Sequence, residues 1–173
     1  STGHELWAHD TSNHSTWRVA DMNSGSGSSY AGSYMSMLVG DTLYFGALET
    51  STGYEMWAHD TSNHSTWRVT DINSGSGHGY PGYSTGDAGE ALVGDTIYFA
   101  GDDGSTGREL WAHDTSNHST WQVANIYSSY LASNPGTYMM LSVGDTLYFD
   151  ASDSAYRQEL WAHDTTNRST WRV

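Results

Sequence analysis

The chain has 173 residues with 20 acidic side chains against six arginines and no lysine, a net charge of −14. Such a chain repels polyphosphates, which excludes nucleic acid as a partner, and no apolar run approaches the ~18 residues of a membrane span, so no membrane insertion is expected. It has no cysteine for disulfides or thiolate metal sites, and only 36% of it is hydrophobic, but 8 Trp and 12 Tyr supply enough apolar area to order it.

The opening Ser1-Thr2-Gly3 matches Ser51-Thr52-Gly53 and Ser105-Thr106-Gly107, so the first residue falls inside a repeat and the chain reads as a portion of a longer product. The eleven residues WAHDTSNHSTW stand at Trp7–Trp17, Trp57–Trp67 and Trp111–Trp121, and with two changes at Trp161–Trp171. First tryptophans are 50, 54 and 50 residues apart, the mark of one supersecondary unit repeated.

Taken in chain order, the first complete repeat predicts four strands, A to D: Met35 to Val39, Asp41 to Leu48, Tyr54 to Asp60 and Thr66 to Ile72. Short runs rich in Trp, Tyr, Phe, Val and Thr, bounded by Gly, Asn, Asp and Ser, are strands, and no window has a helical period. Strands A and B are joined by Val39-Gly40-Asp41, repeated at Val93-Gly94-Asp95 and Val143-Gly144-Asp145, where glycine supplies the positive φ of a tight hairpin. The B to C connections are Glu49 to Gly53, Asp102 to Gly107 and Ser152 to Arg157. The longest and least alike are the D to A connections: Asn23 to Ser33, Asn73 to Gly89 and Tyr127 to Gly136.

Four sequentially joined antiparallel strands per repeat form a β-meander, and repeated meanders make propeller blades. The expectation is therefore an all-β chain of four-stranded antiparallel meanders of β-propeller type, about three and a half blades. Residues 1–22 give a half repeat (strands C and D), and 23–72, 73–126 and 127–173 give three full ones in one continuous array. Because closed propellers usually have about four to eight blades, flanking sequence, a second chain or fibre-like pairing of open strand edges would complete the array, and self-association or neighbouring repeats are the expected partners.

The stretch GRELWAHDTSNHSTWQVANI at Gly107–Ile126, with VGDTLYF at Val143–Phe149, resembles bacterial and archaeal repeats of the form G-x-E-L-W-x-x-D-G-T-x-x-G-T-x-x-V-x-D-I-x-x-G followed by V-G-x-x-L-Y-F. The resemblance covers nearly the whole chain and implies an extracellular propeller whose repeat carries no defined catalytic residue. The sequence departs from that family at the C to D tip, where both glycines of D-G-T-x-x-G-T are replaced in Asp10-Thr11-Ser12-Asn13-His14-Ser15-Thr16.

Asn13, Asn63, Asn117 and Asn167 each begin an N-x-S sequon at a predicted tip, and the sequon survives where the last tip changes. They are candidate glycosylation sites in an exported protein; alternatively, asparagine is there to take the left-handed conformation of the turn. His9, Asp10 and His14 have metal-ligand chemistry, but the fourth copy has Arg168 in the second histidine's place, which favours packing and tip hydrogen bonds. If Asp10 opposes Thr16, then Trp17 opposes His9, and Trp7, His9, Trp17 and Val19 share a face. Tryptophans are then expected to stack between blades as core, with sugar-stacking platforms as the alternative. Asp102 and Asp103 are a candidate calcium pair or a solvated acidic turn; no other cofactor is expected. Arg18, Arg68 and Arg172 are expected to neutralise nearby carboxylates such as Asp21 and Asp71.

No nucleophile elbow, H-E-x-x-H, phosphate loop or cysteine nucleophile is present, and a feature present four times is scaffold rather than active site. The sequence therefore points to a non-enzymatic extracellular or cell-surface protein with structural or adhesive work. One alternative is a carbohydrate-binding module holding glycans through loop tyrosines, Tyr30, Tyr34, Tyr80, Tyr83, Tyr130 and Tyr138. Another is a subunit of an extracellular fibre or surface layer.

Overall fold

The computed structural model describes residues 3–84, 89–128, 130–154 and 157–173. Residues 1–2, 85–88, 129 and 155–156 lie outside the described residues; they belong to the opening Ser-Thr and to connections named above. The fourteen strands are all antiparallel and no helix occurs among the described residues. A two-stranded sheet of β1 (Leu6–Asp10) and β2 (Ser15–Ala20) comes first. Three four-stranded meanders follow. The first comprises β3 (Ser36–Val39), β4 (Thr42–Glu49), β5 (Gly53–Asp60) and β6 (Thr66–Arg68). The second comprises β7 (Glu90–Val93), β8 (Thr96–Asp102), β9 (Arg108–Asp114) and β10 (Ser119–Ala124). The third comprises β11 (Met140–Val143), β12 (Thr146–Ala151), β13 (Glu159–Asp164) and β14 (Ser169–Arg172). This is the expected β-propeller-type architecture. The chain divides into two compact units, Ser1–Gly79 and Tyr80–Val173, each described by itself below.

The A to B hairpins close on Val39↔Thr42, Val93↔Thr96 and Val143↔Thr146, leaving two-residue turns in which Gly40, Gly94 and Gly144 all have φ of 58°. Nothing lies within 4 Å of a Cβ built on any of them, so glycine is there for its backbone freedom alone. Gly94→Ala is expected to cost about 1–2 kcal/mol, the penalty of a left-handed L-residue, read as a lower midpoint in urea denaturation.

The C to D hairpins depart from the expected register by one residue. Asp10 pairs with Ser15, His9 with Thr16, Ala8 with Trp17 and Trp7 with Arg18, and the equivalent pairs recur in β9–β10 and β13–β14. Facing residues share a side of the sheet, so Trp7 and Trp17 lie on opposite faces rather than together. A register shift between Leu6 and Trp7 then brings Leu6 opposite Ala20.

The core differs from the expected tryptophan stack for the same reason. Phe45, Phe99 and Phe149 of the B strands are fully buried, as are Ala58, Ala112 and Ala162 of the C strands, whereas Trp7 remains 52% exposed and every other tryptophan is half-buried or exposed. In Ser1–Gly79, Phe45 and Ala47 pack with Leu43 and Trp57 against Leu6, Ala20 and Met22. In Tyr80–Val173, Leu147, Phe149 and Ala151 pack with Trp161 against Tyr98, Leu110, Ala112 and Trp121. Within each unit the phenylalanine face, Phe45 in one and Phe149 in the other, thus meets a preceding sheet that presents alanine, which leaves room for a ring; each buried ring contributes about 1.5–3 kcal/mol. The tryptophans flank this layer.

Candidate functional site

At one end of each complete blade the two turns are tied together. Thr61 donates its amide and hydroxyl to the Asp41 carbonyl at 2.9 and 2.8 Å, and Thr115 and Thr165 do the same to Asp95 and Asp145. The tip itself is closed by the side chains that repeat. Asp10 accepts from the Ser12 amide at 2.7 Å and, through its other oxygen, from Asn13 Nδ2 at 2.8 Å, while Asn13 Oδ1 accepts from the Ser15 amide at 2.9 Å. Asp60, Asp114 and Asp164 make the same bonds with Asn63, Asn117 and Asn167. Hydrogen bonds from Ser12, Ser62 and Ser116 hold the Asp10, Asp60 and Asp114 carboxyls below the usual aspartate range. The left-handed residue of each turn is not asparagine but the next one: His14, His64, His118 and Arg168 have φ of 60–61°. Asparagine's role here is bonding, not backbone conformation. All four sequon asparagines remain exposed.

The strand-borne histidines of the three complete blades, His59, His113 and His163, are buried, whereas His9 is exposed. His9, His59, His113 and His163 each place Nδ1 2.7–2.9 Å from the hydroxyl of the cross-strand threonine, Thr16, Thr66, Thr120 or Thr170. His113 is fully buried, and burial, reinforced by the His118 charge, pushes its pKa down to about 4. A neutral, hydroxyl-bonded histidine is a packing element. Among the described residues no three of His, Asp and Glu converge as a metal cluster. Arg168, which stands in the fourth copy where the others have histidine, lies 5.8 Å over the Trp121 ring in a cation–π contact.

The candidate calcium pair closes its own loop. Asp102 accepts from the Gly104 amide at 2.8 Å; Asp103 accepts from the Ser105 and Thr106 amides at 2.8 and 2.7 Å. Partial burial would raise Asp103, but the amides of Thr106 and Ser105 outweigh it and hold its carboxyl low. The arrangement is an Asx-type turn. Arg18–Asp21 at 3.0 Å and Arg68–Asp71 at 3.4 Å form as expected, and Arg172 pairs with Asp153 at 3.1 Å.

At the other end of the blades, the D to A loops are held by a residue the sequence reading overlooked, the glutamate of G-x-E-L-W. Glu55 and Glu109 are fully buried. Glu109 accepts from the Ile126 amide at 2.8 Å, the Ser133 amide at 3.1 Å and the Ser133 hydroxyl at 2.7 Å. Glu55 binds the Ile72 and Gly79 amides and the Thr70 hydroxyl, and Glu5 binds the Met22 and Ser29 amides. Burial raises the Glu55 carboxyl, and pushes Glu109 up to about 6 against the opposing pull of these donors. Its appearance at the same place in every repeat, inside an otherwise apolar strand, was the available signal.

The residue before that glutamate is where the copies disagree: His4, Tyr54, Arg108 and Gln158. Three of these side chains meet a loop tyrosine. His4 stacks on Tyr30 at 6.0 Å, Tyr54 meets Tyr34 edge-on at 5.1 Å, and Arg108 lies 4.3 Å over Tyr83. Tyr30 and Tyr80 occupy left-handed positions, φ 51° and 46°, which Asn134 fills in the third loop at 49°.

In Tyr80–Val173 these loops line an open cavity of about 730 Å³. The D to A connections contribute Tyr83, Tyr127, Asn134 and Thr137 to its lining; Ser152 and Gln158 come from the B to C side. Arg108 and Arg157 line it too, the Arg108 guanidinium donating to Asn134 Oδ1 at 2.7 Å. Of the six tyrosines singled out from sequence, Tyr83 lines this cavity and Tyr80 packs beside it at 5.6 Å. Tyr130 and Tyr138 are 79% and 74% exposed and lie outside the lining, and Tyr30 and Tyr34 belong to the other unit.

Neither a known protein family nor a curated protein matches the sequence. Solved structures do match the fold. A puromycin hydrolase is similar with a TM-score of 0.61 at 12% identity over 92% of this chain and 22% of that one. TolB from Acinetobacter baumannii gives 0.54 at 14% identity over 96% and 37%. The GH74 xyloglucanase from Xanthomonas campestris gives 0.50 at 14% identity over 77% and 19%. The chain spans about a fifth of the length of the puromycin hydrolase it matches. At these identities the likeness is one of fold, and the fold is of β-propeller type.

Proposed function

We propose that the chain is a non-enzymatic, extracellular or cell-surface adhesive protein that holds carbohydrate on the face formed by its D to A and B to C loops. The observation that carries this reading is the cavity of about 730 Å³, which falls within the range of small-molecule sites and is lined by two tyrosines, hydroxyls and side-chain amides. The opposite, repeat-identical end has its polar side chains committed to closing turns, so it serves as scaffold and, through the exposed Asn13, Asn63, Asn117 and Asn167, as the glycosylated coat. The resemblance to G-x-E-L-W repeats fits this assignment, since it implies a repeat with no defined catalytic residue. The strand histidines, buried or bonded to threonine in every copy, support a non-catalytic reading of the repeated block.

Glycan-array binding by the full chain tests the proposal: binding is expected, lost in Tyr83→Ala and retained in Tyr130→Ala, whose ring lies outside the cavity. An array without signal overturns the carbohydrate reading. Intact mass spectrometry of the native material tests the coat, with hexose-type increments expected on the four asparagines and an unmodified mass counting against it.

A further inference from the structure

We propose that β1 is a docking edge for one kind of partner, a polypeptide presenting a Val-Gly-Asp-Thr-(Leu/Ile)-Tyr-Phe hairpin, which adds to β1 as an antiparallel strand. The assignment is independent of what the cavity holds. The five residues of β1, LWAHD, recur unchanged at Leu110–Asp114 and Leu160–Asp164, and with one change at Met56–Asp60. In each of those copies the C strand pairs along its whole length with a B strand: Asp with Thr, His with Leu or Ile, Ala with Tyr, and Trp with Phe. By contrast, β1 pairs only with β2. The D-strand edges of β6, β10 and β14 are open too, but they are open in every complete sheet and form the ordinary margin of the fold. An open C-strand edge occurs, among the described residues, at β1 alone.

The edge already has the shape it has in the complete blades. From Asp10 to Trp7 the β1–β2 register repeats that of β9–β10 and β13–β14, and Asp10, Ser12 and Asn13 close the tip with the bonds of the other copies. Leu6, Ala20 and Met22 hold the pair against Phe45 of the following sheet. The differences lie where a B strand would run. Ala58, Ala112 and Ala162 are buried, as are His59, His113 and His163, whereas Ala8 is half-buried and His9 and Trp7 are exposed. Thr61, Thr115 and Thr165 donate amide and hydroxyl to the aspartate carbonyl of the A to B turn; Thr11, their equivalent, makes neither bond among the described residues. A preformed edge of this kind binds with little ordering cost, main-chain bonds supplying affinity and facing side chains specificity.

The same comparison selects the occupant. A hairpin of the repeat's own kind brings an aspartate carbonyl to Thr11, a tyrosine opposite Ala8 and a phenylalanine opposite Trp7, and completes a four-stranded sheet like the other three. A second copy of β1 fits worse: two such edges paired antiparallel about Ala8 set Leu6 against Asp10 and Trp7 against His9, and no turn carbonyl reaches Thr11. The chain's own A to B hairpins, β3–β4, β7–β8 and β11–β12, are each committed to the C strand of their own sheet, so the occupant is a partner's hairpin.

Fluorescence anisotropy of a labelled synthetic peptide, MLSVGDTLYFDA from residues 140–151, titrated with the full chain tests the assignment. Binding is expected, and hydrogen exchange at the Leu6–Asp10 amides is expected to slow when the peptide is added. A peptide carrying Gly144→Val, whose turn resists the φ of 58° that the hairpin needs, is expected to bind about tenfold more weakly. In the chain, Thr11→Val, an exposed change that removes one donor, is expected to weaken the parent peptide about threefold to tenfold. No binding overturns the proposal, as does equal binding of the parent, Gly144→Val and scrambled peptides. Exchange that slows elsewhere while Leu6–Asp10 stays unchanged overturns it too. A dimer of the chain in sedimentation equilibrium that the peptide does not dissociate assigns the edge to a second copy, and likewise overturns it.

Discussion

Glu109→Ala is expected to lower the unfolding free energy by about 3–5 kcal/mol, the range for leaving buried partners of a charged group unsatisfied. The carboxylate is the shared acceptor for the Ile126 amide, the Ser133 amide and the Ser133 hydroxyl, and it has no access to water. Alanine strands all three donors and opens a void beneath the loop. Glu109→Gln keeps the shape and one acceptor oxygen but presents an amide N–H to a donor, so about half that loss is expected. Urea titration at pH 7 separates the two: a parent-like midpoint for the alanine variant would show that the loop is held by something else. The same loop carries Asn134, which accepts from the Arg108 guanidinium in the cavity lining, so the alanine variant is also expected to weaken the carbohydrate binding proposed for that cavity.

How far the sequence could be read follows from what duplication copies. Strand positions and the Val-Gly-Asp turns were legible because apolar alternation and a positive-φ glycine are local signals, and three copies repeat each of them. The pairing of β1 with β2 was not. Four residues, Thr11 to His14, form the tip, with Asn13 drawing in the Ser15 amide, so the hairpin closes one residue tighter than supposed and the two tryptophans separate to opposite faces. Reading Trp as core followed from size alone. Facing sheets leave space for Phe149 beside Ala112, whereas an indole must sit at the margin. The cavity was least legible, since Arg108 and Asn134 are 26 residues apart and no local pattern joins them. Its one trace was the disagreement among His4, Tyr54, Arg108 and Gln158 just before a glutamate that all four copies keep. A position that varies where its neighbours do not is free to specialise, and here it faces the loops.

The second large effect is a loss of stability in mild acid, and it originates in His113. Burial among apolar side chains, followed by the repulsion of His118, lowers its pKa from 6.5 to about 4. Above pH 6.5 the histidine is neutral in both folded and unfolded chains and contributes no pH dependence. Between 6.5 and about 4 the unfolded chain takes up a proton that the folded chain refuses. Stability therefore falls as pH falls, by up to about 1.4 kcal/mol per pH unit and about 3 kcal/mol in total. His59 and His163, also lowered chiefly by burial, act in the same direction. Glu109 opposes them: with a folded pKa of about 6 against 4.5, it binds its proton first in the folded state and returns about 2 kcal/mol as pH falls from 6 to 4.5. The tip aspartates, held below 3.8, change charge only in stronger acid and stay out of this window. Urea midpoints at pH 7, 5.5 and 4 should thus decline for the parent chain. His113→Gln, which keeps a hydrogen-bonding partner for Thr120 but cannot be protonated, should decline less or rise as the glutamate contribution emerges. A decline as steep in His113→Gln as in the parent would place the acid sensitivity elsewhere, whereas a flattened one ties it to the buried face of the repeated block.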